Sequence, residues 1–318
     1  TSRCSSAASD VYKRQIKDNL SIGVTTSGTR YTTNKGVLIE LQALTESGKV
    51  AQYQFDRNYS MNHYAFMWNL GIAGVAKKFK WGLTMKTPSI GIGGKGKYNY
   101  EEFFSGIEGV SESQDRFTTS RQNDLNVTYN RPLAIGGGLS IPINNSAIHL
   151  SGEWYNKVPL YTMMKAEPHV SQSDGDTITF AVVEDLQSVF NFGLGARVHF
   201  SEKLSAFGSV STDFSAVRDE RTRFSENQPE ANNSTFGSDF YHFAGGVVMS
   251  SRRADITLGL SYTGADQTFS RPVDFPEEGD DDIFEADETG SFSWDRVRVI
   301  FSFSFSFMKD RSNGDNAQ

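Results

Sequence analysis

Cysteine is almost missing: Cys4 is the single one in 318 residues, so no disulfide framework staples this chain. Cys4 also lacks the preceding apolar stretch that a lipoprotein acceptor needs, and it reads as an incidental thiol. Long apolar runs are missing too. Only 37% of residues are hydrophobic, mean hydropathy is -0.44, and no stretch approaches the ~18 apolar residues of a membrane helix. Cation excess is absent: 31 Lys and Arg face 38 Asp and Glu, and a net charge of -7 speaks against a nucleic-acid partner. The five histidines (His63, His149, His169, His199, His242) are too scattered for a zinc site, so no metal or cofactor is implied. Finally, Thr1–Gln15 has no apolar centre and is not a signal peptide. It reads like translated adapter sequence joined to an open reading frame. Residues 1–15 are therefore expected to be a non-native leader on an N-terminally truncated chain, 16–308 one barrel, and 309–318 a polar tail.

What the chain does contain is strict alternation. Phe190, Phe192, Leu194, Ala196, Val198 and Phe200 alternate with Asn191, Gly193, Gly195, Arg197 and His199; Ser201-Glu202-Lys203 turns the chain. Leu204, Ala206, Gly208, Val210, Thr212 and Phe214 then alternate with Ser205, Phe207, Ser209, Ser211 and Asp213. Strand side chains point to opposite faces with period two, so each strand has one apolar and one polar face. The pattern recurs from Phe66 to Ile72, Phe79 to Met85, Leu133 to Ile141, Ile148 to Trp154, Tyr241 to Met249, Ile256 to Tyr262 and Val297 to Phe307. In these nine strands the apolar parity holds no charge. The other parity holds Lys78, Lys80, Lys86, Glu153, Arg197, His199, Asp213, Asp255, Arg296 and Arg298. A Lys or Arg facing lipid at the midplane costs ~2–4 kcal/mol, so an uncharged parity is what a lipid-facing wall requires.

The connections alternate between tight turns and long polar loops, Ser215–Asp239 and Ala265–Ser291, as in outer-membrane barrels rather than soluble sandwiches. Aromatics at strand ends, such as Trp154, Phe214, Tyr241 and Trp294, suit interfacial girdles. Weaker alternation marks Leu20–Thr26, Val37–Leu44, Val50–Arg57, Gly94–Phe103, Asn123–Asn130 and Thr177–Val183. The expected fold is an all-β transmembrane antiparallel barrel of 12 to 14 strands in the outer membrane of a Gram-negative cell, among outer-membrane lipids and lipopolysaccharide.

Several motifs fail a catalytic or ligating reading. Gly91–Lys97 has phosphate-loop spacing, but Tyr98 stands where Ser or Thr would hold magnesium. The acidic run Glu277–Asp282, continued by Glu285, Asp287 and Glu288, lacks EF-hand spacing and reads as a solvated loop. His149 and Ser151 share the lumen parity, whereas a hydrolase barrel would carry its pair on the lipid-facing rim; no enzyme is expected.

Trp81–Ile90 followed by Gly93-Gly94-Lys95-Gly96-Lys97-Tyr98 resembles a mid-barrel segment of FadL-type long-chain fatty-acid transporters. Asn130-Arg131-Pro132-Leu133-Ala134-Ile135-Gly136-Gly137-Gly138 and His149–Trp154 are similar to the same family, particularly its Bacteroidetes-like branch. The resemblance implies a 14-stranded barrel plugged by an N-terminal hatch, passing long-chain fatty acids or similar hydrophobic molecules. No hatch precedes Asn19 here, and Met308–Gln318 runs past the usual terminal aromatic residue. Such a lumen needs apolar patches for the acyl chain and a cation for the carboxylate. Phe207, Val248, Met67 and Tyr155 fit the first role, and Arg197, Arg298 and Lys86 the second. Arg197 and Arg298 could instead pair with Glu153, Asp213 or Asp255 and only stiffen the wall. A general diffusion porin, or an adhesive barrel acting through its long loops, would share the same strand pattern. Liposome swelling separates the first from a transporter, and loop trimming the second.

Overall fold

The structure is a computed structural model that describes residues 2–45, 47–106, 115–218, 229–234, 237–251, 254–270 and 289–305. Among them every regular element is a strand. The acidic run, Phe307 and the polar tail lie outside the described residues.

The wall is a thirteen-stranded sheet, antiparallel throughout. It opens with β1 (Ser2–Lys17), β2 (Leu20–Leu44) and β3 (Val50–Ala76). The segment read as a leader runs as β1 alongside β2, with Val11 opposite Thr25 and Lys13 opposite Gly23. After β3 come β4 (Phe79–Lys86), β5 (Ile90–Ser105), β6 (Arg116–Asn126), β7 (Ala134–Ile143) and β8 (Ser146–Tyr155). The wall closes its path with β13 (Val189–Ser201), β14 (Leu204–Asp213), β16 (Phe240–Ser250), β17 (Ala254–Ser270) and β18 (Thr289–Phe305).

The expected lipid-facing parity is the exposed one. Phe66, Trp68, Leu83, Leu139, Leu150, Phe192, Leu194, Phe243, Leu260 and Phe301 all present their side chains outward. Register keeps that lattice continuous: Leu194 lies opposite Leu150 on one side and Val210 on the other.

Three weak segments are corrected. Leu20–Thr26 and Val37–Leu44 belong to one strand of 25 residues. Val50–Arg57 joins Phe66–Ile72 in one strand of 27 residues. At ~3.3 Å per residue β3 reaches ~90 Å, far more than the ~10 tilted residues that cross a bilayer. Along β3 the chemistry of the two faces inverts. Below Phe66 the outward row is Phe66, Trp68, Leu70 and Ile72, over an inward row of Asn69, Gly71 and Ala73. Above it the outward row is Asn62, Ser60, Asn58 and Asp56, while Met61, Tyr59 and Phe55 point inward and are buried. The lower part is dressed for lipid and the upper part for water.

Four strands break at the level of this inversion. β4 and β5 both run along one edge of β3, interrupted at Thr87-Pro88-Ser89. Pro88 brings no N–H to the ladder. Thr87 spans the gap: its N–H donates to the Trp68 carbonyl at 2.9 Å and its hydroxyl accepts from the Trp68 N–H at 3.0 Å. β6 and β7 break at Val127–Leu133, around Arg131-Pro132. β8 passes through Asn156-Lys157 into β9 (Val158–Lys165), and β12 (Ala181–Leu186) passes through Gln187-Ser188 into β13.

β9 and β12 leave the wall and turn inward. They form a small sheet with β15 (Glu230–Asn232), which the Ser215–Asp239 loop supplies. β10 (His169–Val170) and β11 (Thr177–Ile178) make a hairpin at its tip. Met163, Met164, Phe180 and Val182 then pack on Phe55, Tyr59, Met61, Tyr98 and Tyr100 of β3 and β5. This buried core lies inside the mouth of the barrel and caps it.

Candidate functional site

The cap is fastened by buried polar groups as well as apolar ones. Glu184 on β12 is 2% exposed. It accepts from the Tyr161 hydroxyl at 2.9 Å, Asn233 Nδ2 at 3.1 Å and the Ser234 hydroxyl at 3.1 Å. Asn233 reaches Tyr31 on β2, and the Lys35 ammonium donates to the Asn233 carbonyl. Burial lowers the Lys35 pKa, and the nearby Glu184 carboxylate offsets part of that shift. At the tip, Gln172 bonds both the N–H and the carbonyl of Thr119, at 2.9 and 3.1 Å, and the Ser173 hydroxyl does the same for Phe117. These side chains cover backbone groups along β6. A polar cavity of about 280 Å³ in the cap adjoins Arg57 and Arg116. There Arg116 is tied to Glu102 at 2.9 Å and Asp174 at 3.3 Å. The Arg57 guanidinium lies over the rings of Phe55, Tyr100 and Phe180 at 4.9 to 5.3 Å.

Directly below the cap, at the level of the four strand breaks, is a cavity of about 390 Å³. Met67, Tyr129, Pro132, Leu186, Val189 and Phe214 supply apolar walls, and Lys86, Arg131 and Asp213 line it with charge. Its lining residues Lys86, Tyr129, Arg131, Pro132, Asn156, Leu186 and Val189 lie at or next to those breaks. Lys86 donates to Glu153 Oε1 at 2.5 Å, and the Tyr155 hydroxyl donates to Glu153 Oε2 at 2.8 Å. The Lys86 ammonium also sits 5.8 Å from the centre of the Tyr155 ring. Arg131 Nη1 contacts the Met67 sulfur at 3.4 Å. Lys86 and Arg131, two of the charged groups that line the cavity, are thus held by neighbouring side chains.

Three of the seven sequence-derived candidates, Met67, Lys86 and Tyr155, converge on this cavity. The other four do not line it. Phe207 lies along the wall: its Cζ is 2.7 Å from where a Cβ would stand on Gly246 and 3.2 Å from the same point on Gly259. Gly246 is its cross-strand partner and Gly259 lies opposite Gly246 on the next strand, so the ring covers backbone that glycine leaves bare. Val248 sits half-buried between Ser205 and Thr257. Arg197 is exposed and donates to the Ser205 hydroxyl at 3.3 Å, and Arg298 is exposed opposite Ser261. Among the described residues Glu153 pairs with Lys86, not with Arg197 or Arg298 as the stiffening network would have it. Sequence reasoning did not single out Tyr129, Leu186, Val189 or Phe214. A signal was present for Arg131 and Pro132, since a proline inside a strand marks a place where the ladder gives way.

No family model matches the chain, and no curated protein does. Solved structures do. The CymD monoaromatic hydrocarbon channel superposes with a TM-score of 0.54 at 12% identity, over 94% of this chain and 72% of that one. A Pseudomonas aeruginosa FadL homologue gives a TM-score of 0.52 at 10% identity, over 94% and 67%. The fold is the FadL-type barrel. The P. putida toluene transporter TodX gives a TM-score of 0.50 at 12% identity, over 93% and 68%. Identities this low carry the FadL-type architecture and no residue-level correspondence. The strand breaks and the cavity of this FadL-type barrel therefore stand on their own geometry.

Proposed function

We propose that this chain is an outer-membrane channel that passes hydrophobic small molecules through its capped barrel, and that it acts by transport rather than catalysis. The observation that carries the reading is the 390 Å³ cavity with apolar walls, set inside the barrel at the level where the outer surface changes from lipid-facing to water-facing. A hydrophobic solute gains ~25 cal/mol per Å² of apolar surface removed from water, so in this cavity it is better off than in solvent. The fold shared with hydrocarbon and toluene channels supports the same class of cargo. The volume is at the lower end of the ~300–1,000 Å³ typical of ligand pockets. Lys86 and Arg131, which line the cavity, are the groups that would meet a carboxylate if the cargo is a fatty acid. A general diffusion pore fits poorly, because a folded core occupies the mouth.

The test compares uptake of radiolabelled toluene and oleate by cells carrying the wild type or Ala216→Trp, a lining position where an indole would fill the cavity. Both solutes should enter faster than in cells without the protein, and the tryptophan variant should lose most of that gain while still inserting. Uptake unchanged by the filled cavity would remove this site, and no uptake by the wild type would remove the function.

A further inference from the structure

Just above the apolar belt, the outward face of β2, β5 and β6 carries Arg30, Lys95, Lys97 and Arg121, all exposed. Register places them in neighbouring rows: Arg30 opposite Tyr64, Lys95 opposite Asn62, Lys97 opposite Ser60, and Arg121 opposite Asn99. Immediately below, Phe66, Ile90 and Ile92 are 45%, 58% and 63% exposed, as lipid contacts should be. Lys95 is three residues past Ile92. At ~3.3 Å per residue along a strand tilted ~40°, its ammonium lies under ~10 Å above the hydrocarbon edge, where lipid headgroups are.

Protein neighbours only partly engage these charges. Arg30 donates to Asn62 Oδ1 at 3.0 Å and lies 5.7 Å over the Tyr64 ring. Lys95 donates to the Asp124 backbone carbonyl at 3.1 Å. Lys97 and Arg121 have no ion-pair partner among the described residues. Among the described residues of these rows the carboxylate present is Asp124, on the bulged part of β6. The facing pair Asp56 and Glu101 comes one row higher, so acid follows cation as the wall leaves the membrane. One strand, β3, lies between those of Arg30 and Lys95, so two spacings of ~4.8 Å set them about 10 Å apart across the sheet, with Thr32, Asn62 and Ser60 as the polar neighbours.

We infer that this face is a binding surface for the phosphorylated glycolipid of the outer leaflet, lipopolysaccharide, with its phosphates on the four cations and its sugars on the hydroxyl and amide groups between. A lipid with one phosphate would satisfy one cation. A glycolipid carrying several phosphates matches the spread across three strands. The inference rests on the outer-membrane reading, but not on what the channel carries.

The experiment uses the full chain, folded in neutral detergent, with lipopolysaccharide, chemically dephosphorylated lipopolysaccharide and phosphatidylcholine as the added lipids. Wild type should bind lipopolysaccharide in a salt-sensitive way and the other two weakly. Each basic residue near a charged surface contributes roughly fivefold in affinity. Lys97→Gln alone should therefore weaken binding severalfold, and Arg30→Gln/Lys95→Gln/Lys97→Gln/Arg121→Gln more than tenfold. Heat-modifiable migration reports folding in every sample. A folded quadruple variant that keeps its affinity within twofold, or a wild type that binds the dephosphorylated form equally well, overturns the proposal. Toluene or oleate uptake at wild-type level in the quadruple variant separates this surface from the cavity.

Discussion

At the scale of single residues, the two faces of a strand obey different rules. Leu194 and Arg197 lie three residues apart on β13 and on opposite parities. Leu194 is 46% exposed within an apolar lattice, and Arg197 donates to a hydroxyl on the inner side. Leu194→Arg sets a charge against lipid at a cost of ~2–4 kcal/mol near the midplane, whereas Arg197→Leu alters only the interior. The first variant should lose most of its heat-modifiable, vesicle-inserted fraction and the second should keep it. Equal losses would mean the faces are reversed. Phe207 shows why parity does not define a ligand site. A phenyl ring among serines looks like a contact for cargo, yet on one side it faces Gly246, with Gly259 beyond it, and only the register reveals that.

At the scale of elements, the cap has its own chemistry. His63 and His169 both lie against it, and burial lowers both pKa values; Arg57 adds to the effect at His169. A histidine whose folded pKa falls below its unfolded value of about 6.5 favours the folded state fully above that pH. That contribution declines as pH drops below about 6.5 and the unfolded chain takes up protons first. Thermal unfolding of the cap, followed by near-ultraviolet dichroism of its tyrosine cluster, should shift to lower temperature between pH 7.5 and 5. His63→Gln/His169→Gln should flatten the dependence, and a wild-type midpoint constant over that range would refute it. The same elements mark the limit of what was legible in sequence. The membrane-crossing strands were read correctly because lipid demands Phe, Leu and Val on one parity and tolerates no charge there. The upper halves of β2, β3 and β5 keep the period but exchange the faces, with Tyr and Met inward and Asn, Ser and Lys outward. Averaged along the strand, that reversal looks like weak alternation, so long strands were read as short ones. The inward turn of β9 and β12 depends on contacts far apart in sequence, such as Tyr31 with Asn233, which no local pattern carries. The same holds for the cavity: Met67, Lys86 and Tyr155 could be placed on the inner parity, but the strand breaks that gather them could not.

At the scale of the whole molecule, a wall built for lipid carries a small water-soluble core in its mouth. Val182 and Met163 are 0% and 1% exposed there. Liposomes containing the wild type should therefore not swell in small sugars. Val182→Asp and Met163→Asp would each bury an unpaired carboxylate at a cost of several kcal/mol, unseat the cap and admit those sugars. Swelling by the wild type at porin rates would refute the plugged reading. The inversion on β3 has one more consequence, for where the protein sits rather than for what it passes. Its outer row changes from Phe66 to Asn62 within four residues. A rise or fall by a single pleat, ~7 Å along the strand, would either drown amides in hydrocarbon or lift aromatic rings into water. Most membrane proteins meet a thicker or thinner bilayer by tilting. A barrel marked this sharply has one waterline, and the lipid around it has to do the adjusting.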